Sequence, residues 1–96
     1  MFEIGFNERG DVVVSGRLDA ANAPRAQAFL NEINGSCILD LSALNYISSA
    51  GLGVLLSTHK RLSADRSGLE LVNVNPHIND IFRYSGFDKL FVIRSA

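Results

Sequence analysis

The sequence predicts a single α/β domain over residues 1–96, built on a mixed, mostly parallel sheet of four or five strands. Two observations carry that expectation. Short runs of strand character alternate with runs of helical spacing along the whole chain, and the intervals suit βαβ units. The length of 96 residues then limits it to one modest core, and 47% hydrophobic with 20% charged residues is a globular balance.

Phe2, Ile4 and Phe6 alternate with Glu3, Gly5 and Asn7, the period of a half-buried strand. Glu8 to Asp11 read as a turn, and a second strand starts at Val12 and runs to about Gly16. Asn22 is placed to cap a helix over about 22–33, with Pro24 in its first turn and Ala23, Ala26, Leu30 and Ile33 on one face. Asn34-Gly35 stops it. Cys37 to Leu41 form an almost unbroken apolar run, as in a central strand.

After an expected loop from Ser42 to Ile47, a second helix spans about 49–64 with Leu52, Leu55, Leu56 and Leu62 on its apolar face. Leu69 to Val74 predict another strand, and Pro76 to Tyr84 a third helix carrying Ile78, Ile81 and Phe82. Leu90 to Ile93 make the last short strand. The expected buried set is Leu39, Leu41, Leu52, Leu55, Leu56, Leu71, Val72, Ile81 and Phe82.

Nine basic against ten acidic side chains give a formal charge of -1, so no electrostatic footprint for nucleic acid exists. The N-terminal MFEIGFNERG is neither a signal peptide nor a membrane span, and the expected location is cytoplasmic, without membrane insertion. The one cysteine, Cys37, lies in an apolar run and reads as a buried, inert thiol.

The stretch "YISSAGLGVLL", residues 46–56, carries the candidate chemistry. Ser49 lacks the Gly-x-Ser-x-Gly setting of a hydrolase nucleophile, because Ile47 stands two residues before it. His59 is ten residues further along the helix, about 15 Å away, too far to act as its base; a place at the core edge suits it better. His77 reads as an ordinary first-turn residue. Gly51-Leu52-Gly53 begins a nucleotide-binding pattern, but Leu56 stands at its third glycine. No residues have metal-ligand spacing, and no cofactor is expected. What remains is a helix cap by Ser48 or Ser49, at a helix start where a phosphate would be tolerated.

Three segments carry a family resemblance. "LDLSALNYISSAGLGVLL" resembles the central element of the STAS domain of bacterial anti-sigma factor antagonists; "SGRLDAANA" is similar to that family's Gly-x-Leu-Asp segment. "NPHINDIFRYSGFDKLFVI" resembles its third helix, Ser-Gly turn and final strand.

The resemblance spans roughly residues 2–94 and implies a βα superhelix lacking the family's last C-terminal helix. It places the phospho-acceptor on Ser49, with Ser48 as rival because it replaces the family's acidic residue, and the neighbouring aspartate on Asp19. It implies a substrate rather than an enzyme. The partners would be an ATP-dependent anti-sigma factor serine kinase and a PP2C-type phosphatase, met as a monomer or weak dimer. The alternative is a constitutive STAS subunit on a lipid-export ABC transporter or in a signalling assembly. The expected contact surface combines Asp19, Ser48, Ser49, Ala50, Gly51 and Gly53 with Thr58, Lys60 and Arg61.

Overall fold

Alternation in the first eighteen residues produces an antiparallel pair, β1 (Phe2–Phe6) and β2 (Val12–Leu18), in which Ile4 faces Val14 and Phe2 faces Gly16. The computed structural model describes residues 1–95, the last without its side chain; the expected absence of a C-terminal helix falls outside them. Helix α1 (Ala23–Asn31) follows, then β3 (Cys37–Asp40), β4 (Leu44–Ile47), α2 (Ser49–Ser63), β5 (Leu69–Val74), α3 (Pro76–Ser85) and β6 (Val92–Ser95). A short 3-10 turn over Phe87–Lys89 displaces the start of β6 two residues beyond the expected Leu90.

The sheet runs β1-β2-β3-β5-β6, with β4 also paired to β2. Every pair except β1–β2 is parallel. The expected loop from Ser42 to Ile47 is the principal correction. Its second part is a strand, which makes six strands among the described residues. β2 pairs with β3 through Val12 and Val13 and with β4 from Gly16 to Leu18. Four residues are too few for a readable alternation, and Leu44 and Ile47 are buried while Asn45 is exposed. β2 changes partner between Val13 and Gly16, and within its pairing to β4 the register shifts between Gly16 and Arg17.

Gly16 is required at this irregularity. Its φ is +84°, and a Cβ there would run into the Met1 carbonyl, which also accepts the Arg17 N–H at 2.9 Å.

One face of the sheet forms the core. Val12, Val14 and Leu18 of β2, Cys37 and Leu39 of β3, and Leu69 and Leu71 of β5 join Leu30, Leu55, Leu62, Ile78 and Phe82 from the helices. Of the expected buried set, Leu39, Leu41, Leu52, Leu55, Leu71 and Phe82 are buried. Leu56, Val72 and Ile81 are only half-buried, because Val72 points to the opposite sheet face and the other two lie at helix flanks. Cys37 is buried, and desolvation, followed by the negative charge of Asp11, pushes its thiol up to about 11. Among the described residues no helix is long and apolar enough to cross a membrane.

Candidate functional site

The site grows from the end of the parallel pair β2–β4. Leu18 pairs with Ile47, and the ladder continues one step as the Ser48 N–H donates to the Leu18 carbonyl at 3.0 Å. Directly after it, the chain turns into α2. This places Asp19, just beyond Leu18, next to the first turn of the helix.

The two serines have different employment. Ser48 has extended backbone (φ -94°, ψ 175°) and is the N-cap: its Oγ accepts the Gly51 N–H at 3.3 Å and approaches the Leu18 carbonyl at 3.5 Å. Ser49 is the first helical residue and is exposed. Among the described residues its hydroxyl makes no hydrogen bond within 3.5 Å. The N–H groups of a helix's first turn and its partial positive charge favour an anion at such a position.

Ala50 and Gly53 are exposed beside Ser49, and a Cβ at Gly53 would meet nothing within 4 Å. Gly51 is different, and its expected place on the contact surface is corrected. It is buried, and an added Cβ would come 2.6 Å from the Leu18 carbonyl and 2.8 Å from Ile47. Its lack of a side chain lets α2 sit down on the end of the sheet.

Asp19 organises the opposite side. Its Oδ1 accepts from both the backbone N–H and the side-chain amide of Asn22, each at 3.1 Å. Asn22 therefore stands at the cap position of α1 without capping it through its side chain, contrary to expectation. Its amide also donates to the Arg17 carbonyl at 3.0 Å. Arg17 lies over the Tyr46 ring, 4.2 Å from the centroid, and its Nε is 3.8 Å from Asp19 Oδ2. Sequence reasoning did not single out Arg17 or Tyr46; the available signal was the polar-apolar-polar run Arg17-Leu18-Asp19 at a strand end.

Further along α2 the structure separates the three remaining candidates. Lys60 is exposed as expected. Thr58 is 1% exposed and cannot meet a partner, because it lies on the buried arc of α2 with Gly51, Val54, Leu55 and Leu62. Arg61 is half-buried, and its Nη2 donates to the Leu30 carbonyl at 2.7 Å, closing the C-terminal end of α1. These two are structural residues.

The histidines have no part in the site. His59 accepts the Leu69 N–H through Nδ1 at 3.2 Å and sets its ring against Phe91, the core-edge role expected of it. His77 is exposed in the first turn of α3. Among the described residues no group of three or more His, Cys, Asp and Glu could hold a metal ion.

A family model for the STAS domain matches residues 7–96. The chain belongs to the STAS domain family. This STAS domain is 34% identical over 87 residues to BtrV of Bordetella bronchiseptica, a protein named for an anti-sigma factor antagonist role, covering 86% of this chain and 75% of BtrV. Its fold is that of an anti-sigma factor antagonist from Mycobacterium paratuberculosis, with TM-score 0.81, 23% identity, and coverage of 100% of this chain and 86% of that one. It is also that of SpoIIAA from Bacillus, at 22% identity in both forms. The unphosphorylated form gives TM-score 0.74 with 97% and 87% of the two chains covered. The phosphorylated form gives 0.68 with 97% and 90%.

Proposed function

We propose that this STAS domain is an anti-sigma factor antagonist that works by partner switching. Unphosphorylated, it binds an ATP-dependent anti-sigma factor serine kinase and so frees the sigma factor. The kinase phosphorylates Ser49, the phosphate ends the contact, and a PP2C-type phosphatase restores it. The chain is the substrate in this cycle and not its catalyst.

The observation that carries the reading is the division of labour between the two serines. Ser48 is half-buried and holds the helix cap, whereas Ser49 presents a free hydroxyl on an exposed helix start. The name of BtrV and the two solved forms of SpoIIAA support the same direction. A phosphate of charge about -1.5 to -2 at this position is compatible with the fold, because the helix dipole and free N–H groups favour it. Against a protein partner the same group is unfavourable, since an unpaired dianion must be desolvated in the contact.

The test is titration calorimetry against the kinase recovered with the tagged protein, identified and re-expressed. Wild type and Ser49→Ala are expected to bind alike. Protein stoichiometrically phosphorylated on Ser49, and Ser49→Asp, are expected to bind more weakly with a near-native circular dichroism spectrum. Equal affinity of the phosphorylated and unmodified forms would refute the switch, and phosphate mapped only to Ser48 would refute the acceptor.

A further inference from the structure

Arg17 and Tyr46 belong neither to the core nor to a helix cap. They are paired across β2 and β4 one register step before Leu18 and Ile47, so they flank the turn that delivers Ser49. The guanidinium carbon lies over the tyrosine ring, 4.2 Å from its centroid, and the Arg17 side chain is 54% exposed. Its approach to Asp19 is 3.8 Å, too long for a hydrogen bond, and among the described residues the guanidinium makes no other ion pair and no hydrogen bond. Asp19 is meanwhile held by Asn22. The result is a cation set against a ring, with its donors open to solvent, at the strand end that leads through Ile47 and Ser48 into Ser49.

The backbone is shaped to put it there. Gly16, with φ +84°, sits at the register shift of the β2–β4 ladder, and the Met1 carbonyl fixes the next peptide by accepting the Arg17 N–H at 2.9 Å. A bulge of this kind re-aims the side chain that follows it.

We propose that Arg17, stacked on Tyr46, is the specificity-determining contact of this surface and receives a carboxylate side chain of the protein partner. The inference rests on the partner-switching reading. When a partner covers Ser49 it also strips water from Arg17, and a guanidinium without an acceptor opposes that burial. A carboxylate meets the planar fork through two parallel hydrogen bonds. A partner with a basic surface at this place would be rejected, so the sign of the charge selects among kinases.

The experiment compares affinities of unphosphorylated wild type, Arg17→Gln, Arg17→Lys, Arg17→Glu and Arg83→Gln for the re-expressed kinase, at low and high salt. Arg83 is on α3 and serves as a control for loss of one exposed charge. Arg17→Gln is expected to weaken binding about ten-fold or more, with Arg17→Glu worse and Arg17→Lys restoring only part. Arg83→Gln should match wild type, and Arg17→Gln should lose much of the salt dependence. Circular dichroism and melting temperature of the Arg17 variants should stay near wild type, given the exposure of the side chain.

If wild type binds, phosphorylation of Ser49 abolishes binding, and Arg17→Gln binds as wild type does, this inference alone falls. It is also overturned if Arg17→Gln leaves the affinity unchanged but lowers the melting temperature of the phosphorylated protein only, since the guanidinium then serves the phosphate. If wild-type protein binds no such kinase, the functional reading and this inference fall together.

Discussion

At the N-terminal end of α2, Ser49 and the neighbouring Arg17 keep their hydrogen-bonding groups open to solvent, while Ser48 and Asp19 hold the local backbone. At the C-terminal end of the same helix, His59 accepts the Leu69 N–H and Arg61 donates to the Leu30 carbonyl. There the polar side chains tie the helix to β5 and to α1. Polarity in the sequence is similar at both ends, but at the C-terminal end His59 and Arg61 are already engaged, and of the candidate residues there Lys60 alone stays exposed. The difference lies in what each residue already touches, so exposure together with hydrogen-bond employment separates a binding surface from structural polar residues.

The largest expected effect removes the scaffold on which both ends depend. Leu55 is fully buried midway along α2, and Leu55→Ala should cost about 2–5 kcal/mol in chemical denaturation. A variant that keeps wild-type stability would place the helix in a different packing and break the comparison at its root. Gly51→Ala acts on the N-terminal end alone. A methyl group 2.6 Å from the Leu18 carbonyl must push α2 off the sheet, with an expected cost of about 1–3 kcal/mol. Partner binding should fall with it, because Ser49 moves relative to Asp19.

His59→Ala tests the other end. It leaves the Leu69 N–H without its acceptor and removes an edge contact to Phe91, which should cost about 1–3 kcal/mol. The affinity of the remaining folded protein for its partner should stay at the wild-type value. A large loss of affinity with little loss of stability would show that the C-terminal end also belongs to the contact surface.

Much of this was legible from residue spacing. The alternation in β1, the apolar run of β3, and the leucines of α2 each report a single apolar neighbour face, and Leu39, Leu55 and Phe82 are buried accordingly. Thr58 and Arg61 were placed on the outer surface because a one-stripe helix leaves them off the leucine face. In the fold α2 packs against the sheet and also against α1, so its buried arc is wider than the leucines indicate. β4 was hidden because it is paired only to the end of β2 from Gly16 to Leu18, a consequence of tertiary register. The positions of Ser48, Ser49 and Asp19 followed from family resemblance, but which serine caps the helix required the hydrogen bonds themselves.

The smallest expected effect compares those two serines directly. Ser48→Ala removes the acceptor for the Gly51 N–H and should lower stability by about 0.5–2 kcal/mol. Ser49→Ala removes an exposed hydroxyl with no partner among the described residues, and its stability should stay within about 0.5 kcal/mol of wild type. Paired urea titrations would resolve the difference if both variants keep the wild-type slope. The reverse ranking would mean that Ser49 is the working cap and Ser48 the free hydroxyl. The acceptor assignment would then pass to Ser48, and the open end of α2 would begin one residue earlier.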